Sequence, residues 1–195
     1  MSEGGVDSAP QNILKESRLP NGFNLERVTN QRMTELLKKA PAIIKWPFFE
    51  ELSSETPRMN VGASTCLMAY EIGKDQSFSG HFTVVAESKG ADAKEQNEYQ
   101  TYKSWLSHVQ SFLAADDESV LVLLGQHKSN LQSQTGSAIL EEMWQKNRAH
   151  VNEDLKKAGI DPSRIIDLRG PKIGSTAALY DPKEKRLSYT TYPPR

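Results

Sequence analysis

The stretch NVGASTCLMAYEIGKDQSFSGHFTVV, residues 60–85, decides how this chain folds. It contains the only cysteine, Cys66, and a histidine, His81, a short distance downstream. An apolar run follows the cysteine, residues 73–75 (GKD) supply turn chemistry, and a second run rich in β-formers begins at His81. The pattern predicts a β-hairpin in which Cys66 opens one strand and His81 opens the next. We interpret the two side chains as a candidate catalytic pair.

The residue types of this stretch suit nucleophilic catalysis. A cysteine thiol has an ordinary pKa of about 8.5, so a neighbouring imidazole must take its proton before it attacks. The thiolate then attacks an amide or ester carbon, and the histidine protonates the leaving group. Small residues ahead of Cys66 leave room for a substrate, and backbone N–H groups near Ser64 and Cys66 are oxyanion-hole candidates. Asn60, Ser64 and Thr65 are the nearest candidates for a group that orients the imidazole.

The rest of the chain predicts helices and strands that surround this hairpin. Helices are predicted over 32–40, 99–114 and 136–158, with Thr29 as the first N-cap and Gly159 after the last helix. Strands are predicted over 42–46, 119–124 and 164–168, a helical turn over 48–52, and a closing hairpin over 175–180 and 187–192. The class is therefore α/β or α+β, a mixed sheet with helices packed on it.

Length and composition indicate a single globular domain. The chain has 195 residues, of which 37% are hydrophobic and 25% are charged. Residues 1–25 are polar and rich in Gly, Ser, Asn and Pro, so we predict a poorly ordered lead-in before one domain over 26–195. The 24 lysines and arginines nearly balance the 25 aspartates and glutamates, which argues against nucleic acid or an anionic membrane as a partner.

Other classes of site and location find no support in the sequence. No apolar run is long enough to span a membrane, and the first residues lack the features of a secretory signal. A single cysteine forms neither an internal disulfide nor a multi-thiolate site, and neither a histidine cluster nor a phosphate-binding glycine loop is present. We therefore expect no metal, no cofactor and synthesis in the cytoplasm. Export by a route without a cleavable signal stays open.

The remaining histidines give weaker signals. His108 and His150 fall within predicted helices, where we expect surface or packing residues. His127 follows a buried strand, and sites in α/β proteins often lie at the carboxyl ends of strands. His127 is therefore a candidate for lining the site.

The motif from Gly62 to Tyr70, followed by Gly80-His81-Phe82, resembles the CheD chemoreceptor glutamine deamidases. In that family a cysteine motif leads into a strand, a turn, and a histidine followed by phenylalanine. Later segments resemble the family in the same order, so that the resemblance covers roughly residues 58–192: the strand 120–125, the helix end 152–160, and the closing strands from 165 onward. The catalytic domains of cytotoxic necrotizing factors, a lethal-factor glutamine deamidase toxin and an N-terminal asparagine amidohydrolase are similar.

The resemblance implies a largely antiparallel, sandwich-like β core flanked by helices. It also implies a Cys-His deamidase that hydrolyses a glutamine carboxamide of a target protein without a cofactor. Cys66 would be the nucleophile and His81 the general base and acid. Asn60 occupies the position where some members use a threonine to orient the histidine, and Ser64-Thr65 stand where the family has a glycine beside its cysteine. We expect a monomer whose partner is the protein substrate.

Several alternatives stay open. Resolution of the thioester by an amine would make the reaction a transglutamination. The setting is either a housekeeping chemotaxis enzyme of the CheD kind or a bacterial toxin or effector, and the polar lead-in and inserted helical segments favour the effector. A non-catalytic protein-binding domain with Cys66 buried is the alternative from another class. A papain-like protease is disfavoured, because its cysteine lies near a helix N-terminus and its histidine far downstream.

Overall fold

The fold is built on two five-stranded sheets that face each other. The computed structural model describes residues 13–19, 22–38, 40, 47–63, 65–86, 90–127, 137–170 and 174–192, with 13–18, 137–141 and 143 described by their main chain alone. In the first sheet the strands lie in the order β1 (Ile13–Arg18), β2 (Asn24–Val28), β10 (Arg186–Tyr192), β9 (Ser175–Asp181) and β4 (Arg58–Ala63). Neighbours are antiparallel except for β10 and β2.

The second sheet contains the hairpin predicted within residues 60–85. Its strands lie in the order β3 (Phe48–Glu51), β6 (Ser77–Phe82), β5 (Leu67–Ile72), β7 (Val120–Gly125) and β8 (Ile165–Asp167). Here β7 and β8 are parallel and the other neighbours are antiparallel. Every residue of β5 and β7 is buried, as expected for strands covered on both faces.

Three apolar layers hold these sheets and their helices together. Residues of both sheets meet in the central layer, among them Met68, Tyr70, Val122, Tyr180 and Leu187. Two helices, α2 (Ala93–Ala115) and α3 (Ser137–Lys157), cover the outer face of the second sheet with residues that include Tyr102, Trp105, Val109, Val151 and Leu155. A short helix, α1 (Asn30–Leu37), packs Met33 and Leu36 against the outer face of the first sheet. The result is a four-layered α/β/β/α arrangement.

The predicted class is confirmed, because the chain forms mixed sheets with helices packed on them. Thr29 caps α1, and its hydroxyl oxygen accepts a hydrogen bond from the Arg32 backbone N–H at 3.2 Å. Gly159 follows α3 with a φ of +70°, the left-handed conformation that glycine adopts at low cost. The closing hairpin also forms, with β9 and β10 paired in antiparallel register. None of the described helices combines the length and the apolar character needed to cross a membrane.

Two helix predictions are wrong, because pairing or capping outweighs local propensity. The helical turn predicted over 48–52 is instead β3, whose residues complete a ladder with β6. The helix predicted to begin at residue 99 begins at Ala93, because the Asp92 carboxylate accepts the Glu95 backbone N–H at 2.8 Å and caps an earlier turn.

Part of the polar lead-in predicted over residues 1–25 lies in the first sheet. Ile13–Arg18 within it forms β1, which pairs with β2 and thereby satisfies the main-chain groups of both strands. Leu25 of β2 belongs to the central apolar layer, so this part of the chain contributes to the core. The rest of the domain division stays a prediction, and the strand predicted over 42–46 lies outside the described residues.

Candidate active site

Cys66 and His81 lie at the same end of the β5–β6 hairpin. The antiparallel register pairs Met68 with His81 and Leu67 with Phe82, and Cys66 immediately precedes β5. The prediction that His81 opens its strand is wrong, since it is the next-to-last residue of β6. This difference brings the pair together, because in an antiparallel hairpin the start of one strand lies beside the end of the other.

The alternation of side chains places the thiol and the imidazole on one face of the sheet. Met68 lies in the layer between the sheets, and His81 is directly opposite it, so both point the same way. Cys66, two residues before Met68, packs against the same layer. Leu67 and Phe82 form the next pair and point to the helix-covered face. Cys66 and His81 are therefore diagonal neighbours in the space between the sheets.

Asn60 reaches the imidazole from the facing sheet. It lies on β4, and its side-chain Oδ1 is 2.8 Å from His81 Nδ1. Both residues are fully enclosed, with 0% of Asn60 and 1% of His81 exposed. Because an amide oxygen only accepts hydrogen bonds, Nδ1 carries the proton and Nε2 carries the lone pair. That is the tautomer a general base requires.

Burial keeps both members of the pair uncharged at neutral pH. It lowers the pKa of His81 from an ordinary 6.5 to about 4. Burial also raises the pKa of the Cys66 thiol, and the negative charge of Glu98 adds to this rise, whereas a hydrogen bond with the Thr65 side chain lowers it. The resting pair is therefore a thiol beside a neutral imidazole. Proton transfer from Sγ has to accompany attack on a substrate rather than precede it.

The main chain around Cys66 is closely surrounded. A Cβ added at Gly125 would lie 2.6 Å from the Cys66 carbonyl oxygen and 2.9 Å from the Ala63 side chain, so only glycine fits there. The next residue, Gln126, donates its backbone N–H to the same carbonyl at 2.8 Å. Sequence reasoning did not identify either residue, although the glycine at the end of a buried strand was a visible signal.

Thr65, Ser64 and His127 are the other predicted site residues. Thr65 is half-buried beside the thiol, and Ser64 lies outside the described residues. His127 is buried, and its Nε2 is hydrogen-bonded to Thr176 Oγ1 on the first sheet at 2.8 Å. Gly170 leaves room for this ring, since an added Cβ there would lie 2.0 Å from His127 Nδ1. The structure thus brings Asn60 and His81 into contact and places His127 in a separate inter-sheet bond.

His108 is more than the surface or packing residue expected from sequence. Its Nδ1 lies 2.9 Å from a carboxylate oxygen of Glu71, a buried residue of β5 on the helix-covered face. The ring also packs among Phe49, Phe78 and Phe112, with centroid separations of 5.0, 4.4 and 6.0 Å. One histidine and its partner therefore lie on each face of the second sheet: His81 with Asn60 on the inner face, and His108 with Glu71 on the outer face.

A cleft of about 960 Å³ begins at Thr83, two residues after His81 in the chain. Thr83 to Ala86 form one wall, the first turns of α2 form another, and Lys146 and Asn147 of α3 close it. Neither Cys66 nor His81 lines the cleft, but the Thr83 hydroxyl donates to Glu98, whose charge acts on Cys66. Many side chains in its walls are amides, carboxylates or ammonium groups that suit a polar ligand.

The described residues contain no group of three or more His, Cys, Asp or Glu side chains placed to hold a metal ion.

No protein-family model matches the chain, and no curated protein matches it in sequence. Among solved structures it is similar to the C-terminal domain of CNFy, a cytotoxic necrotizing factor from Yersinia pseudotuberculosis, with 10% sequence identity and a TM-score of 0.31. The similarity covers 80% of this chain and 52% of that one, so the chain spans about half the length of the CNFy structure.

Proposed function

We propose that the protein is a cysteine-dependent amidohydrolase that converts a glutamine of a target protein to glutamate. The observation that carries this proposal is the buried hydrogen bond between Asn60 and His81, at the end of the hairpin where Cys66 lies. Polar groups enclosed in an apolar layer are costly unless they are paired. Here the pairing orients an imidazole, fixes its basic nitrogen and leaves it neutral, as general-base catalysis requires.

The reaction uses only these side chains, the glutamine and water. Cys66 Sγ attacks the carboxamide carbon while His81 Nε2 takes the thiol proton. The tetrahedral intermediate collapses when His81 returns that proton to the nitrogen: the C–N bond breaks, ammonia leaves, and a thioester between Cys66 and the substrate remains. Water then attacks the thioester carbon, His81 accepts its proton and restores it to the departing sulfur. The products are a glutamate side chain, ammonia and the original thiol.

The neutral resting state fits a carboxamide substrate. An amide is uncharged, so no ion pair has to form before it binds, and charge develops only on the oxygen of the tetrahedral intermediate. Ser64, Thr65 and the backbone N–H of Cys66 are the proposed donors to that oxygen. Each such donor typically contributes about 3 kcal/mol to transition-state stabilisation.

A protein substrate agrees with the polar cleft that begins at Thr83, which is large enough for a polypeptide segment. We favour a bacterial toxin or effector that is made in the cytoplasm and acts as a monomer on a host protein. The polar lead-in and the inserted helical segments, which the compact CheD pattern lacks, favour this setting. A CheD-like chemoreceptor deamidase is the alternative setting for the same chemistry.

The second candidate function is a non-catalytic protein-binding domain. The raised pKa of Cys66, which burial causes, favours it, because a thiol that stays protonated is a poor nucleophile. On this alternative, Asn60 and His81 would serve only to join the two sheets.

Mass spectrometry on target proteins separates these functions. Lysates of candidate host and bacterial cells are incubated with the wild type, with Cys66→Ser and with His81→Ala. We expect a glutamine of a particular protein to show the mass change from carboxamide to carboxylate with the wild type alone. An added primary amine would appear on the same glutamine if transglutamination competes. Equal spectra for the wild type and Cys66→Ser across both lysates would support the binding domain instead.

A further inference from the structure

The residue that holds the main chain of Cys66 has an unusual conformation. Gln126 has a φ of +48°, and with Lys185 it makes up the non-glycine residues at positive φ in the described part of the chain. Side chains other than glycine rarely adopt this region. In this conformation the Gln126 backbone N–H points at the Cys66 carbonyl, 2.8 Å away. Strained backbone of this kind persists only where the surroundings fix it.

Two side chains fix Gln126. Its carbonyl accepts a hydrogen bond from the indole N–H of Trp144 on α3. Its side-chain Oε1 accepts one from Arg169 Nη1 at 2.9 Å. No part of Gln126 is exposed, so solvent cannot substitute for these partners.

Arg169 is itself held in one orientation. It follows β8 and is only 6% exposed. Its Nε and Nη2 donate to the two carboxylate oxygens of Asp167 at 2.8 and 2.6 Å, and Nη2 also donates to Asn152 Oδ1. This bidentate pairing leaves the Nη1 donor aimed at Gln126. A buried charge is thus used to orient one neutral side chain.

A second arginine, at the other end of β8, shows what a purely structural role looks like. Arg164 precedes β8, and its guanidinium donates to main-chain carbonyls of Leu113, Asp116 and Ser119, where α2 ends and β7 begins. Arg169 acts at the opposite end of β7, where Gly125 and Gln126 meet Cys66. The two arginines therefore bracket the same strands, but only Arg169 is connected to the nucleophile.

We propose that Gln126 and Arg169 are positioning residues that hold Cys66 in register with His81. This inference rests on the proposed function, since it assumes that the Cys66–His81 pair reacts. The chain of contacts runs from the Arg169 guanidinium through the Gln126 side chain and backbone N–H to the Cys66 carbonyl. Loss of the Arg169–Gln126 side-chain link releases the Gln126 peptide, so that its N–H no longer holds the Cys66 carbonyl in one orientation and Sγ moves away from the imidazole. Misplacement of a reacting atom by about 1 Å costs on the order of 10²-fold in rate.

The test measures how strongly His81 accelerates alkylation of Cys66 by iodoacetamide. Since Cys66 is the only cysteine, the modification reports on that thiol alone. Rates are measured from pH 5 to 9 for the wild type, Gln126→Gly and Arg169→Lys, each with and without His81→Ala. Gln126→Gly keeps the backbone N–H and tolerates the positive φ, so it removes only the side-chain link. Urea unfolding midpoints show that each variant is folded.

We expect the ratio of rates with and without His81 to fall at least tenfold in Gln126→Gly and Arg169→Lys. The pH profile of alkylation should then approach that of a free thiol. Arg164→Lys is the matched control, which should lower the urea midpoint while the ratio stays at the wild-type value. If Arg169→Lys does not fold, Gln126→Gly alone decides.

Three results would overturn the inference, and they can be told apart from one another. An unchanged ratio in Gln126→Gly refutes the positioning role while the proposed function stands. An equal fall in Arg164→Lys assigns the effect to general destabilisation. Equal alkylation of the wild type and His81→Ala removes the reactive pair itself, so the proposed function and the inference fail together.

Discussion

Two histidines lie against opposite faces of the second sheet, and their partners differ. His81 is 1% exposed, faces the first sheet and is hydrogen-bonded to the neutral amide of Asn60. His108 lies on α2, and its side chain is 33% exposed. It packs among aromatic rings and contacts the carboxylate of Glu71. The amide orients its ring without lending it charge, so burial alone sets the pKa of His81, at about 4. The carboxylate instead shares a proton with its ring.

The partner decides what each histidine can do. Burial raises the pKa of Glu71 from 4.5 to about 8 and lowers the pKa of His108, so their pair retains one proton at neutral pH. The Asn60–His81 pair has no such proton to share and presents a basic nitrogen. The Glu71–His108 pair holds a proton, whereas His81 beside Asn60 is able to accept one.

The largest expected difference is between alanine substitutions at the two histidines. His81→Ala should lower Cys66-dependent deamidation by about 10²- to 10⁴-fold, the usual contribution of a general base. His108→Ala should leave this rate within about threefold of the wild type, because His108 lies on the face of the sheet away from Cys66. Rates of Cys66 alkylation by iodoacetamide provide the measurement before a substrate is known. Similar losses in both variants would contradict the assignment of roles.

A smaller effect should follow when the Asn60–His81 pair is made to resemble the Glu71–His108 pair. Asn60→Asp places a carboxylate beside Nδ1, which favours the imidazolium and raises the pKa of His81 by roughly 1–3 units. NMR titration of the ring protons measures the shift directly. Asn60→Ala serves as the control, since it removes the partner without adding charge.

The kinetic consequence of Asn60→Asp is equally specific. The His81-dependent part of the alkylation rate should follow the new pKa of His81, so its pH profile moves with the titration. A pKa that stays near 4 in Asn60→Asp would show that Asn60 does not control the protonation of His81.

The smallest effects concern stability, and the two sites should respond to pH in opposite directions. In the folded protein the Glu71–His108 pair keeps one proton up to about pH 8, whereas in the unfolded chain the last proton of these two groups is lost near pH 6.5. The free energy of unfolding therefore falls as pH rises from 6.5 to 8, by about 2 kcal/mol. In the unfolded chain His81 binds a proton below pH 6.5, whereas in the folded protein it stays neutral down to about pH 4. The free energy of unfolding therefore falls as pH drops from 6.5 to 4, by about 3 kcal/mol.

Urea unfolding across pH checks both directions. The free energy of unfolding of the wild type relative to Glu71→Gln should decline between pH 6.5 and 8, and relative to His81→Ala it should decline between pH 6.5 and 4. Parallel curves for the wild type and both variants would show that neither site is buried in the state that unfolds.

The sequence predicted the class, the hairpin and its turn, because apolar runs and turn residues are local signals. It misplaced the start of β6, since Ser77-Phe78-Ser79-Gly80 has little β propensity and becomes a strand only through its ladders with β3 and β5. Asn60 could be named from its distance to Cys66, but its approach to His81 depends on the packing of two sheets. Gln126 and Arg169 are 43 positions apart and share no periodicity or motif, so only the fold connects them. The pairing of Glu71 with His108 is hidden for the same reason.

The Asn60–His81 hydrogen bond has one partner in each sheet, so the reactive arrangement belongs to neither sheet alone. Each sheet can fluctuate internally without consequence, but separation of the two disconnects the imidazole from its support. A chain with both sheets formed but not docked would therefore carry the thiol and lack the oriented imidazole. The docking of the sheets, and not either sheet by itself, completes the arrangement that we propose to be reactive.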